Sequence, residues 1–125
     1  MATVLKMRGH RDLVAWQKAM TLVTEIYRVT REFPRDEQYG LVSQLRRAAV
    51  SVPSNLAEGH GRNSRNELHH FVGMARGSLT EVETQIEIAR NLDYLSPERC
   101  AELLSRVGEV GRLLTGLRTW SAKSS

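Results

Sequence analysis

Apolar residues recur at alternating three- and four-residue steps in four separate windows of this chain. This spacing is typical of α-helices that bury one side, and no stretch alternates apolar and polar residues as a half-buried strand does. The connections between the windows are short, so neighbouring helices should run antiparallel. We therefore predict an all-α fold, an up-down-up-down antiparallel four-helix bundle over residues 12–120. Residues 1–11 should form a loosely ordered N-terminal segment and residues 121–125 a frayed tail.

Each window contributes one predicted buried face, and three windows also carry signals for a helix start. Asp12 is a plausible N-cap for the first helix. Ser64 and Glu67 form a capping box before the third helix, and Ser96 with Pro97 opens the fourth. The four predicted buried faces are, in chain order, Leu13, Trp16, Met20, Val23, Tyr27 and Thr30; Val42, Leu45, Ala49, Val52 and Leu56; Leu68, Val72, Ala75, Leu79, Val82, Ile86 and Ala89; and Cys100, Leu103, Val107, Val110, Leu114 and Leu117.

The second window carries a proline, Pro53, in its interior. A proline there lacks a backbone donor and clashes with the carbonyl four residues back, that of Ala49, at a cost of roughly 3 kcal/mol. We expect the helix to be kinked at Pro53, with nearby Ser and Asn side chains bonding the freed carbonyls. Two interpretations remain open, a structural kink with a satisfied hydrogen-bond network and a surface that binds a partner. The polar residues beside Pro53, hereafter the polar stripe, are Ser51, Ser54, Asn55 and Glu58.

The third predicted helix places small residues on the side opposite its buried face. Glycine in an exposed helix interior costs about 1 kcal/mol relative to alanine, whereas small residues at helical spacing let another helix approach closely. The pattern favours contact with another subunit, and the alternative is contact with a neighbouring helix of the same bundle. The residues of this small-residue face are Gly73, Gly77, Thr80 and Thr84.

The chain has a net charge of +4 that is unevenly placed. Residues 1–65 hold eleven Lys and Arg against six Asp and Glu, whereas residues 66–125 hold seven against eight. A basic half favours an anionic partner such as nucleic acid. The alternative is that Arg47 and Arg62 are tied to Glu58 and are structural. The candidate residues for contact with nucleic acid or a partner are Arg46, Arg47, Arg62 and Arg65.

Composition also bears on compartment and chemistry. The single cysteine, Cys100, excludes an internal disulfide and suits a reducing cytoplasm. No apolar run approaches the roughly 20 residues of a membrane span, so we expect a cytoplasmic protein without membrane contact. Cys100 falls on a predicted buried face, and no histidine is placed beside a nucleophile by spacing. We therefore expect no catalytic residues, no metal site, no cofactor and no enzyme activity.

Three segments resemble one known family. They are DLVAWQKAM at residues 12–20, YGL at 39–41 followed by QLRRAAVSVPSNLAEG at 44–59, and GSLTEVETQ at 77–85. They are similar to motifs of the bacterial four-helix-bundle family named for proteins encoded in intervening sequences of 23S ribosomal RNA genes, and the resemblance extends from Asp12 to about Leu117.

The resemblance implies a small cytosolic up-and-down bundle that assembles as a ring-shaped homopentamer, in a family with no established enzyme. A related branch, the accessory variability proteins of diversity-generating retroelements, binds a reverse transcriptase and nucleic acid through a basic surface. We expect a non-enzymatic oligomeric scaffold that contacts RNA, DNA or a nucleic-acid-processing protein. The alternative is a scaffold for protein–protein assembly alone.

Overall fold

The computed structural model of the chain describes residues 9–122, and within that range it contains α-helices and short 3-10 helices but no strand. The all-α prediction is confirmed. Most of the predicted N-terminal segment and of the predicted tail lies outside the described residues. The elements are a 3-10 turn at His10–Asp12, α1 at Val14–Thr30, a second 3-10 turn at Arg35–Glu37, α2 at Leu41–Gly61, α3 at Arg65–Asn91 and α4 at Pro97–Ser121.

The four helices pack around one hydrophobic core. Each helix contacts the next one along the chain, and α4 also contacts α1. Every residue of the buried faces predicted for α2, α3 and α4 is buried, so these three predictions are confirmed. None of the helices in the described part of the chain is long and apolar enough to cross a bilayer.

The buried face predicted for α1 is largely wrong. Leu13 and Thr30 are buried, but Met20 and Tyr27 are exposed, and Trp16 and Val23 only pack against the edge of the core. Two neighbouring stripes of α1 have the same helical spacing, one with Ala15 and Ala19 and the other with Trp16 and Met20. The stripe with the alanines faces the core, because small residues let the neighbouring helices approach closely. The buried residues of α1 are Ala15, Ala19, Leu22, Ile26, Val29 and Thr30.

Two of the three predicted helix starts are confirmed. Ser64 Oγ accepts a hydrogen bond of 3.3 Å from the backbone N–H of Glu67, and Ser96 Oγ accepts one of 3.1 Å from the N–H of Arg99. Each bond satisfies one of the amide donors that a helix start leaves without a partner.

Asp12 is not the N-cap of α1, and that prediction is wrong. Asp12 belongs to the preceding 3-10 turn, and Leu13 occupies the N-cap position without a side-chain cap bond. Leu13 is buried in the core. The start of α1 is therefore stabilised by the burial of the Leu13 side chain and not by a polar cap.

Candidate assembly and contact surfaces

The middle of the polar stripe forms a hydrogen-bond chain between α2 and α3. Asn55 Nδ2 donates to the backbone carbonyl of Ser51 at 2.8 Å and to Ser51 Oγ at 2.9 Å. Ser51 Oγ in turn lies 2.8 Å from Ser78 Oγ on α3. Pro53 leaves the carbonyl of Ala49 without its usual backbone donor. Asn55 bonds a different carbonyl, that of Ser51, two positions further along the chain. Pro53 itself is buried inside a helix that continues to Gly61.

The outer part of the polar stripe faces solvent. Ser54 is exposed, and Glu58 Oε2 accepts a 2.9 Å hydrogen bond from Arg62 Nε. This bond raises the pKa of Arg62 above its ordinary value, chiefly by hydrogen bonding and then by charge attraction. The Arg62 guanidinium also lies 5.3 Å from the centre of the Phe71 ring. The stripe therefore divides into a half that joins two helices and a half that remains accessible.

A small polar cleft adjoins this network between α2 and α3. The Oε1 atom of Gln85 is buried, and within residues 9–122 it has no hydrogen-bond partner. Our sequence interpretation did not single out Gln85, although a glutamine three positions after the core residue Val82 was the available signal. The cleft has a volume of about 230 Å³ and is lined by Gln44, Arg47, Ala48, Ser51, Ser78, Glu81 and Gln85.

Arg46 is held against the end of α1. Its Nε donates to Thr30 Oγ1 at 2.9 Å, and its Nη2 donates to the carbonyl oxygen of Tyr27 at 3.3 Å. The guanidinium carbon also lies 4.4 Å from the centre of the Tyr27 ring. Because carbonyls in the last turn of a helix lack intrahelical partners, Arg46 acts as a cap for α1 supplied by α2.

The other three candidate arginines are distributed along the bundle. Arg47 is exposed and forms no ion pair with any residue between 9 and 122. The guanidinium of Arg65 lies 4.1 Å from the centre of a Trp120 ring. Arg62 is sixteen positions beyond Arg46, which corresponds to about 24 Å along a helix. The four arginines therefore do not form one patch on a single chain.

The small-residue face of α3 is open. Gly77, Thr80 and Thr84 are exposed and Gly73 is half-buried. A Cβ atom added at either glycine would meet no atom of residues 9–122 within 4 Å. At Gly59, by contrast, an added Cβ would lie 2.7 Å from Phe71 Cβ. Packing within this chain therefore requires a glycine at position 59 but not at positions 73 and 77.

An apolar groove runs between α1 and α2. It arises because α1 turns a different face toward the core from the predicted one, which leaves Met20 exposed. Met20 and Val50 are 41% and 39% exposed, and Trp16 is half-buried. Sequence reasoning missed this surface because it assigned the α1 residues to the core. The apolar groove has a volume of about 310 Å³ and is lined by Trp16, Met20, Val23, Val50, Pro53, Ser54 and Ala57.

Features of enzyme sites are sparse in the described residues. No group of three or more His, Cys, Asp or Glu side chains between residues 9 and 122 is placed to hold a metal ion. Cys100 is buried in the core, where a thiol acts as a small apolar group.

The chain is similar to one protein family in sequence and to a solved structure in fold. The family model of the 23S rRNA-intervening sequence protein matches residues 11–116. One similar solved structure is the crystal structure of a protein with unknown function from the S23 ribosomal protein family of Bacteroides thetaiotaomicron VPI-5482. The two structures have a TM-score of 0.78 and a sequence identity of 18%, and the match covers 85% of this chain and 96% of that chain. At this identity the likeness shows a shared fold alone, and no curated protein matches the sequence. Because the family match spans most of its length, the chain belongs to the 23S rRNA-intervening sequence protein family.

Proposed function

We propose that this chain is a non-enzymatic scaffold that assembles with copies of itself in the cytoplasm, as a homopentamer, and contacts RNA, DNA or a nucleic-acid-processing protein. The observation that carries the proposal is the apolar groove, because it leaves Met20 and Val50 exposed beside a half-buried Trp16. Exposed apolar surface rimmed by polar residues is typical of protein interfaces.

The proposed subunit is an up-down-up-down bundle with a kink at Pro53. Contacts between the end of one helix and the start of its neighbour support this order. Arg46 near the start of α2 donates to the carbonyl of Tyr27 near the end of α1. His69 near the start of α3 lies 3.1 Å from Ser121 at the end of α4. Antiparallel neighbours joined by short connections make such pairs.

Two different surfaces on one chain support a ring. The apolar groove lies between α1 and α2, and the small-residue face lies on α3, where Met74 beside it is also exposed. If the groove of one subunit binds the α3 surface of the next, the contact is heterologous and closes into a ring when the rotation fits. A pentamer is the ring that the family resemblance implies.

Contact with nucleic acid rests on the basic half of the chain. Repetition around a ring would bring copies of Arg47, Arg62 and Arg65 into one larger positive surface, and positive surfaces attract phosphate backbones. The accessory variability proteins, a branch that the resemblance includes, are the model for such contact.

A specific observation favours the alternative, a scaffold for protein–protein assembly alone. Arg46 is bonded to Thr30 and Tyr27, and Arg62 is paired with Glu58. Arginines engaged in this way already have a structural role within the chain. Under this alternative the basic half serves solubility, and assembly is the whole function.

The direct test is the mass of the protein in solution. Sedimentation equilibrium at micromolar concentration should give about five times the chain mass of 14.1 kDa. A mass equal to one chain would overturn the assembly proposal. Fluorescence anisotropy with short RNA and DNA at low salt tests the second part, and a pentamer that binds neither would leave the protein-only scaffold.

A further inference from the structure

A third cavity lies at the corner where α1 ends and α2 begins. It has a volume of about 290 Å³, at the small end of the roughly 300–1,000 Å³ found for ligand pockets. Apolar residues and arginines both line it. The residues that line this corner cavity are Phe33, Pro34 and Val42 (hereafter its apolar wall), Arg31, Arg35 and Arg46, and the polar residues Thr30 and Gln38.

Two of the three arginines have no carboxylate partner among residues 9–122. Arg31 and Arg35 are exposed, and neither forms an ion pair with any residue between 9 and 122. Arg28, one helical turn before Arg31, is by contrast bonded to Glu25 at 2.6 Å. The lining of the corner cavity therefore includes two arginines that form no ion pair within residues 9–122.

The third arginine is fixed in place with donors to spare. Arg46 uses its Nε for Thr30 Oγ1 and one Nη2 hydrogen for the carbonyl of Tyr27. A guanidinium carries five N–H donors, so three remain. Because the Tyr27 ring and two hydrogen bonds hold the group, little conformational freedom is left for a ligand to remove.

The carboxylates of the neighbouring turn do not line the cavity. Glu37 Oε1 accepts the backbone N–H of Leu41 at 3.1 Å, and its Oε2 accepts the hydroxyl of Tyr94 at 2.8 Å. Glu32 and Asp36 are exposed and do not line the cavity. The negative end of α1 and the positive end of α2 both lie at this corner and oppose each other, and the charged side chains that line the cavity are all arginines.

We propose that the corner cavity binds the phosphate group of a small phosphomonoester. Arginine forks match phosphate oxygens and bind them by charge-assisted hydrogen bonds. A monoester carries up to two negative charges, which suits two unpaired arginines and a third held in position. The apolar wall would contact the organic part of the ligand. This site needs only one chain, so it depends neither on assembly nor on nucleic-acid binding.

Titration calorimetry of the full chain at low salt tests the proposal, with inorganic phosphate, ribose 5-phosphate, ribose and an oligonucleotide with a 5′-hydroxyl as probes. The double variant Arg31→Ala/Arg35→Ala should weaken binding of both phosphate compounds about tenfold or more, since hydrogen bonds to charged groups are lost. The control Arg99→Ala/Arg106→Ala removes the same charge from α4, outside the cavity, and should bind as the wild type does. Thermal melting verifies that both variants fold.

Each other outcome overturns the proposal. If the wild type binds neither phosphate compound, there is no such site. If both double variants weaken binding equally, the effect is one of net charge. If ribose binds as well as ribose 5-phosphate, the phosphate group is not recognised. If an oligonucleotide with a 5′-hydroxyl binds but ribose 5-phosphate does not, the corner is a phosphodiester surface and not a monoester site.

Discussion

Ser51 on α2 and Ser78 on α3 are joined by a hydrogen bond of 2.8 Å between their hydroxyl oxygens. Asn55 donates to the same Ser51 hydroxyl, which leaves the Ser51 hydrogen available for Ser78. Ser51 and Asn55 lie two positions before and two positions after Pro53. The hydrogen bonds that link α2 to α3 are therefore next to the proline, which weakens the backbone hydrogen bonding of α2.

Replacing Asn55 with leucine should destabilise the fold. The change removes both hydrogen bonds to Ser51 and places an apolar group in a half-buried polar setting. Leaving such groups without partners typically costs about 1–3 kcal/mol. Urea unfolding measures the effect, and Ser54→Ala, at an exposed position of the same stripe, should change stability by no more than about 0.5 kcal/mol. Unchanged or higher stability of Asn55→Leu would contradict this account.

The serine pair should show energetic coupling. Ser51→Ala and Ser78→Ala each remove one side of the same hydrogen bond, so the double variant should lose less stability than the two single losses added together. Residues in one hydrogen-bond network typically couple by about 0.5–3 kcal/mol. A double-mutant cycle in urea measures this, and strict additivity would mean that the bond contributes nothing to the fold.

The buried faces of α2, α3 and α4 follow from sequence because each of these helices has one apolar stripe. In α1, Ala15 and Ala19 compete with Trp16 and Met20 at the same spacing, so periodicity cannot choose between the two stripes. The choice depends on how closely the neighbouring helices approach, which is a property of the assembled bundle. The apolar groove, which follows from that choice, was beyond sequence reasoning for the same reason.

At the candidate sites, too, some contacts could be predicted from local spacing and others could not. The pairing of Arg62 with Glu58 could be predicted, because it joins residues four positions apart on one helix. The bond from Arg46 to Thr30 and the contact between Ser51 and Ser78 connect different helices. Such contacts depend on the relative register of two helices, which a single sequence does not encode in its local spacing.

Stability should fall at alkaline pH through Tyr94. Its hydroxyl donates to Glu37, and this bond, followed by burial and the nearby negative charge, raises the pKa of Tyr94 above its ordinary value of 10.0. The unfolded chain therefore loses the tyrosine proton first. Its contribution to stability is full below about pH 10 and is lost as pH rises through the folded pKa.

Chemical unfolding of the wild type and of Tyr94→Phe across this pH range checks the prediction. The phenylalanine variant lacks the ionisable group, so the stability difference between the two proteins should shrink as pH rises above 10.0. A difference that stays constant with pH would show that the Tyr94 bond to Glu37 does not contribute to folding.

Gly77→Leu should weaken assembly without unfolding the subunit. A Cβ at this position would meet no atom of residues 9–122 within 4 Å, so we expect the steric conflict to arise with another subunit. Overpacking costs typically about 1–3 kcal/mol, which corresponds to a roughly 5- to 150-fold rise in the dissociation constant. Sedimentation measures assembly, and circular dichroism should show that most helical content is kept.

Ala101→Leu is the matched control for that variant. Ala101 is exposed on α4, outside both the apolar groove and the small-residue face, so a leucine there should leave the mass in solution unchanged. Met20→Glu, which places a charge in the apolar groove, should weaken assembly as Gly77→Leu does. If both test variants assemble like the wild type, neither surface is the contact between subunits.

Arg62→Ala/Arg65→Ala should weaken binding to RNA or DNA similarly across sequences and flatten its dependence on salt. Each lost phosphate contact lowers the slope of log affinity against log salt by about 0.7 to 0.9. Fluorescence anisotropy over a range of salt concentrations measures the slope. Arg99→Ala/Arg106→Ala removes equal charge from α4 and should leave the slope unchanged.

The structure sharpens the competing account of these two arginines. Arg62 is bonded to Glu58 and lies near the Phe71 ring, and Arg65 lies over Trp120. If these contacts are the whole role of the pair, the double variant should melt at a lower temperature while its affinity for nucleic acid and its salt slope stay those of the wild type. Because Arg62 and Glu58 are both about half exposed, solvent screens their ion pair, and its contribution to stability should be small. A small loss of stability together with a flatter slope would therefore assign Arg62 and Arg65 to nucleic-acid contact, whereas a lower melting temperature with an unchanged slope would assign them to the fold.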